Sequence, residues 1–98
     1  MKSALAIQCL PLSSQGKEEA YQMVDAAITA IQSFKLPLAV GPFETVVEGP
    51  LETLFEVAQA AHTAVLKAAG DGGSVATYMK LFSGEELGSS EEKTAKYR

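Results

Sequence analysis

Two segments of helical periodicity, residues 17–34 and 51–69, most restrict what this chain can fold into, because each is flanked by stretches with a period of two. In the first, Ala20, Met23, Val24, Ala27, Ile28, Ile31 and Phe34 recur at helical spacing, and Lys17, Glu18, Gln22, Asp25, Thr29 and Gln32 fill the polar face. In the second, Leu51, Leu54, Phe55, Ala58, Ala61, His62, Val65 and Leu66 trace the apolar stripe. Ser13 or Ser14 is expected to cap the first helix. Pro37 marks its end, since the residue before a proline avoids the helical region. Pro50 is expected at the first position of the second helix, and Gly70 at its C-terminal cap before the Asp71-Gly72-Gly73 turn.

The remaining segments alternate. In residues 3–10, Leu5, Ile7 and Cys9 fall on one side of a strand and Ala4, Ala6, Gln8 and Leu10 on the other. Leu38–Val40 and Phe43–Glu48 read as a hairpin around the Gly41-Pro42 turn. Residues 74–82 set Val75, Thr77, Met79 and Leu81 against Ala76, Tyr78, Lys80 and Phe82. The order strand, helix, strand, strand, helix, strand predicts an α+β, ferredoxin-like βαββαβ sandwich: an antiparallel sheet with both helices on one face. A chain of 98 residues is read as one domain over 1–98, with its core at about 3–82 and a polar tail over 83–98 that ends in a short helix across Glu91–Arg98. Two helices cover one sheet face only. The other would expose Ala4, Ala6, Leu10, Tyr78 and Phe82, or the matching set in the opposite orientation, and an apolar patch of that kind marks an interface. A homodimer or homotetramer through the open sheet face is therefore expected.

Composition excludes several chemistries. One cysteine and one histidine rule out a disulfide framework and a multi-histidine metal centre within the chain. Arginine occurs only at Arg98, which weakens any reading that needs a guanidinium clamp for phosphate or nucleic acid. The net charge of −4 also disfavours nucleic acid. The Gly70–Gly73 run follows a helix instead of opening one, so it is a poor phosphate cradle. No segment approaches the roughly 18 apolar residues of a membrane span. Gln8 and Pro11 interrupt the only apolar run near the start, which excludes a signal peptide and leaves the cytoplasm as the expected location.

The chemistry-bearing residues are few. Glu44 and Glu48 are four apart on an expected strand, hence on one face, with Thr45 and Val47 on the other. They suit a cationic or amine-bearing ligand; equally, they suit an edge strand kept soluble by charge. Tyr21 and Tyr78 are the aromatics best placed for a cleft wall, while Phe43 and Phe82 are assigned to the core. Lys80 is expected to pair with Glu44 or Glu48. His62 reads as a packed boundary histidine, with an acid–base role as the alternative, and Cys9 as a buried, inert thiol.

The stretch Gly41-Pro42-Phe43-Glu44-Thr45-Val46-Val47-Glu48-Gly49, running into Pro50-Leu51-Glu52-Thr53-Leu54-Phe55-Glu56-Val57, resembles the thiamine-binding (YkoF-like) family, whose members carry a Thr-x-x-Glu-Gly strand leading into a Leu-x-x-Leu/Val helix. Cys9-Leu10-Pro11-Leu12, the pattern Tyr21, Val24-Asp25, Ala27-Ile28, and the strand Val75–Lys80 are similar to the family's other elements, so the likeness covers residues 4–82. The resemblance implies the ferredoxin-like fold, oligomerisation through sheets, and binding of thiamine or its hydroxymethylpyrimidine moiety without catalysis and without a cofactor. On that reading the ligand-binding residues are Thr45, Glu48, Glu44, Tyr21, Tyr78 and Gln8, with Glu48 accepting from the ligand amine, Thr45 hydrogen-bonding or buttressing, and Tyr21 or Tyr78 stacking. Carboxylates and aromatic faces suit a cationic aminopyrimidine compound, and the scarcity of arginine favours the unphosphorylated form. Two other classes stay open: a dimeric ferredoxin-like monooxygenase using His62 and Tyr78, and a ligand-free assembly or regulatory module.

Overall fold

The computed structural model describes residues 2–12 and 16–85. Its order is β1 (Lys2–Pro11), α1 (Lys17–Gln32), β2 (Leu38–Val40), β3 (Thr45–Gly49), α2 (Leu51–Ala69) and β4 (Val75–Gly84). The strands form one antiparallel sheet in the order β2-β3-β1-β4. This is the ferredoxin-like arrangement: each helix links two strands that have a third strand between them.

Register assigns every side chain to a face. Leu5 pairs with Val47 and Leu81, Ile7 with Thr45 and Met79, and Cys9 with Thr77. Leu5, Ile7, Cys9 and Val47 are buried beneath the helices, together with Met23, Ala27 and Ile31 of α1 and Leu54, Val57, Ala58, Ala61 and Val65 of α2. The opposite face carries Ala4 between Glu48 and Phe82, Ala6 between Val46 and Lys80, and Gln8 beside Tyr78. Among the described residues no helix covers it, and Tyr78 and Phe82 are 60% and 56% exposed.

Several details differ from the periodic reading. Helix α1 stops at Gln32, two residues early, and the chain turns through Lys35 at φ 56°. Gly16 occupies its N-cap position without a side-chain cap; Ser13 and Ser14 lie outside the described residues. Pro50 is extended, with ψ 143°, and serves as the N-cap, leaving Leu51 as the first helical residue. Strand β3 starts at Thr45 because Glu44 belongs to the turn, where the Gly41 N–H donates to the Glu44 carbonyl at 3.0 Å. Strand β4 runs on to Gly84, so Ser83 and Gly84 belong to the sheet instead of the tail, and the Ser3 and Ser83 hydroxyls meet at 2.7 Å. The short helix expected over Glu91–Arg98 lies outside the described residues. Phe43 and Phe82 are not core residues: Phe43 sits at the hairpin tip, 79% exposed, and Phe82 on the open face. In α2 the buried arc includes Val57, while Leu51, Phe55 and Leu66 stand exposed.

Gly49, within the Thr-x-x-Glu-Gly stretch, has a packing role. A Cβ there would come within 2.9 Å of the Leu36 side chain, which packs against the core after α1. The glycine lets the segment between α1 and β2 close onto the sheet, where the Glu48 N–H donates to the Pro37 carbonyl at 3.0 Å.

Candidate functional site

Between α1 and the β1–β3 part of the sheet the packing is incomplete, and a cavity of about 270 Å³ remains. Its floor is Ile7, Cys9 and Thr45 from the covered face of the sheet. Val24, Ala27, Ile28 and Ile31 of α1 form one wall, and Val40–Glu44 of the hairpin form the other. The gap has a local cause. Strand β2 is only three residues long, so α1 faces a hairpin turn where it would otherwise face a fourth full strand. Residues on the sheet side are small or β-branched and do not fill the space.

Polar and aromatic groups gather at one end. Thr45 is 7% exposed and lies on the covered face. Glu44 sits in the turn beside it and borders the cavity, but its half-exposed carboxylate reaches to the open-face side of the sheet, 3.5 Å from Lys80 Nζ across the intervening strand β1. That ion pair is solvent-exposed on the lysine side and contributes little to stability. Tyr21, 59% exposed, and Phe43 stand at the mouth. Lys17 Nζ lies 6.0 Å from the centre of the Tyr21 ring, close enough for a weak cation–π contact. Gln8 borders the cavity, although strand alternation directs its side chain to the open face.

Four of the six residues singled out from sequence thus border one cavity: Gln8, Tyr21, Glu44 and Thr45. Glu48 and Tyr78 do not join them. Both lie on the uncovered face, Glu48 opposite Ala4 and Tyr78 opposite Gln8, so the sheet separates them from the cavity. Thr45 and Glu48 are three residues apart, and a period of two sends them to opposite faces. Phe43 is a cavity residue that sequence reasoning assigned to the core, and Cys9, the buried thiol expected from sequence, borders the same cavity. The signal for Phe43 was its place directly after Gly41-Pro42, a turn position where a side chain has little to pack against.

Cys9 is held in a short polar chain. Thr77 Oγ1 donates to Cys9 Sγ at 3.5 Å, and His62 Nδ1 of α2 lies 2.6 Å from the same hydroxyl. With the threonine proton directed at sulfur, the imidazole Nδ1–H donates to Thr77. Burial pushes the Cys9 thiol pKa up, and the Thr77 hydrogen bond offsets part of that rise. The thiol therefore stays protonated and unreactive at neutral pH. His62 and Tyr78 lie on opposite faces of the sheet, so they share no cleft of the kind a monooxygenase reading requires. Among the described residues no cluster of histidine, cysteine and carboxylates could hold a metal ion, and no helix is long and apolar enough to cross a membrane.

Solved structures with the same fold include a domain of unknown function (DUF77) from Bacillus cereus, 29% identical, with a TM-score of 0.82 over 100% of this chain and 91% of that one. A Streptococcus pneumoniae protein is 30% identical, with a TM-score of 0.79 over 97% and 99% of the two chains. A Thermotoga maritima protein suggested to act in thiamine biosynthesis or salvage is 23% identical, with a TM-score of 0.82 over 100% of both chains; at that identity the likeness speaks for the fold. No curated protein matches the chain. The family model for thiamine-binding protein matches residues 5–98, and the chain belongs to that family.

Proposed function

We propose that this protein binds thiamine, or its hydroxymethylpyrimidine moiety, non-catalytically in the cavity between α1 and the β2–β3 hairpin. The observation that carries the reading is the joint placement of a buried hydroxyl on the floor and two aromatic rings at the mouth of an otherwise apolar cavity, with Glu44 on the turn that borders it. Glu44 exchanges its exposed ion pair with Lys80 for the exocyclic amine or the cationic ring of the ligand. Thr45 hydrogen-bonds at the floor, Gln8 borders the site, and Tyr21 and Phe43 close over the heterocycle. A volume of about 270 Å³ lies at the small end for a ligand pocket, which favours a one- or two-ring compound over its diphosphate. Membership of the thiamine-binding family supports the same ligand class.

Glu48 and Tyr78 belong to a different part of this proposal. They flank the exposed apolar residues of the open sheet face, where a second copy packs in a cytoplasmic homo-oligomer.

Calorimetric titration with thiamine, hydroxymethylpyrimidine and thiamine diphosphate tests the ligand. Saturable binding of one of the first two at micromolar or tighter Kd, with the diphosphate weaker, is the expected result. Absence of heat together with absence of thermal stabilisation at excess ligand removes thiamine and leaves the assembly-module reading.

A further inference from the structure

A hydrogen-bonded chain of side chains crosses from α2 to the floor of the cavity. His62 Nδ1 lies 2.6 Å from Thr77 Oγ1, and Thr77 Oγ1 lies 3.5 Å from Cys9 Sγ. Cys9 is the one member of this chain that also lines the cavity. His62 and Thr77 are half-buried, whereas Cys9 is buried. The binding role given above to the cavity uses none of the three.

A hydroxyl carries one proton, so the chain has a direction. When His62 Nδ1–H donates to Thr77, the threonine proton goes to sulfur and the thiol proton is left over for the cavity that Cys9 lines. When residue 62 accepts instead, the threonine proton is used there. The thiol then donates back to Thr77, and the cavity meets only sulfur lone pairs. Thr77 donates to sulfur in this structure, which is the first direction. The thiol keeps its proton at neutral pH, because burial disfavours the thiolate.

A second polar group stands on the same floor. Thr45 pairs with Ile7, and Cys9 is two residues along β1 on the same face, a diagonal placement of about 7–8 Å. Thr45 is 7% exposed and lines the cavity. Among the described residues nothing hydrogen-bonds its hydroxyl, and that hydroxyl is not sealed in by its surroundings. For a residue so deeply buried, the opening is the cavity.

We propose that His62, acting through Thr77, turns the Cys9 S–H into the cavity, where it donates to an unprotonated ring nitrogen of the bound heterocycle while Thr45 hydrogen-bonds a second polar atom of the same molecule. The inference rests on the ligand class assigned above and deepens it: the floor selects a heteroaromatic acceptor over a carbocycle of the same shape. Cys9 is the contact that reads the ligand, Thr77 relays, and His62, which does not line the cavity, is a positioning residue. An S–H is a weak donor. Its leverage comes from the apolar floor, where a ring nitrogen stripped of water and given no donor would bear its full desolvation penalty.

Raman spectroscopy and calorimetry test this together, since Cys9 is the sole cysteine and gives a single S–H stretching band. Saturating hydroxymethylpyrimidine is expected to shift that band to lower frequency. Its carbocyclic counterpart, with both ring nitrogens replaced by C–H, is expected to bind about three- to tenfold more weakly. Cys9→Ala is expected to lose that preference. His62→Asp sets an acceptor-only carboxylate against Thr77 and reverses the chain, so the band is expected to shift in the ligand-free protein and the preference to disappear. In Thr77→Val no hydroxyl remains to take the thiol proton. Adding His62→Asp to Thr77→Val is therefore expected to change neither band nor preference, an independence that a purely structural role for His62 would not produce. Circular dichroism checks that each variant is folded. Hydroxymethylpyrimidine that binds without moving the S–H band overturns this inference and spares the ligand reading beneath it. Absence of binding heat overturns that reading, and this inference with it. A preference that survives in Cys9→Ala, or an undiminished His62→Asp effect in the Thr77→Val background, overturns the proposal as well.

Discussion

The two strand–helix units of this protein share a topology and differ in how completely they pack. Helix α2 buries five residues against β1, β3 and β4, namely Leu54, Val57, Ala58, Ala61 and Val65. Helix α1 buries three, Met23, Ala27 and Ile31, and leaves a cavity between itself and the hairpin. One repeat of the same supersecondary unit supplies the densely packed core, and the other leaves room for a ligand. The difference traces to β2, whose three residues give α1 too little sheet to lie on.

The largest expected effect tests the packing contrast directly. Leu54→Ala, at a fully buried position of α2, is expected to destabilise by about 2–5 kcal/mol in urea unfolding. Ile28→Ala, on the cavity wall of α1, is expected to lose under about 2 kcal/mol, because its side chain already borders empty space. Equal losses at the two positions would mean that α1 packs as tightly as α2 in solution.

Function sharpens the same contrast. Glu44→Gln keeps the shape of the side chain and removes its charge; it is expected to weaken thiamine binding about tenfold, the scale of one charge-assisted hydrogen bond. Its unfolding midpoint should stay within error of wild type, since the ion pair to Lys80 is exposed. Glu48→Gln, across the sheet from the cavity, is expected to leave binding at reduced protein concentration unchanged. A larger loss of affinity at Glu48 than at Glu44 would move the ligand to the open face.

Much of the architecture was legible because each element declared its own period. Alternation in residues 3–10 and 75–82 marked β1 and β4, and assigned Leu5, Ile7 and Cys9 to one face. The stripe of α2 was harder to read. Its apolar residues span an arc wider than the sheet can cover, and the buried part is rotated roughly 60° from the centre of that arc at about 100° per residue, toward Val57 and away from Leu51, Phe55 and Leu66. Hydropathy cannot say which half of a wide arc meets the sheet. The cavity was less legible still, because it arises from the spacing between α1 and a hairpin, a distance that no local pattern encodes. Thr45 and Glu48 illustrate the limit: their sequence neighbourhood suggested a joint site, while strand geometry places them on opposite faces.

Cys9 connects the two halves, bordering the cavity of α1 and accepting from Thr77, which is bonded to His62 of α2. Its folded-state pKa is raised above the ordinary value of 9.0, chiefly by burial. Above pH 9.0 the unfolded chain releases the thiol proton while the folded chain retains it, so the unfolded state binds fewer protons and stability falls as pH rises. The contribution is fully present below that pH. Urea titrations between pH 8 and 10 (about one unit either side of the ordinary value) are expected to show a steeper loss for wild type than for Cys9→Ser. Parallel curves would mean that the thiol is solvated, and hence that the cavity floor is open to bulk water.

The contrast also shows where each helix ends, and its smallest expected effect is at Lys35. Helix α2 stops at Gly70, with φ 77° and ψ −166°, a conformation that is essentially glycine's alone. A Cβ at Gly70 would meet no atom within 4 Å, so any penalty for Gly70→Ala is conformational, about 1–3 kcal/mol. Helix α1 instead hands the chain on through Lys35, a non-glycine residue at φ 56°. Lys35→Gly removes a left-handed penalty of about 1–2 kcal/mol and adds unfolded-state entropy that offsets part of the gain. The net expectation is a stabilisation of up to about 1 kcal/mol, read from the unfolding midpoint. Opposite signs at the two helix ends would show that the α1 half carries a backbone strain the α2 half has resolved with glycine. A loss of stability in Lys35→Gly would show instead that the lysine's own side-chain contacts outweigh its backbone strain, and the contrast between the two ends would then rest on packing alone.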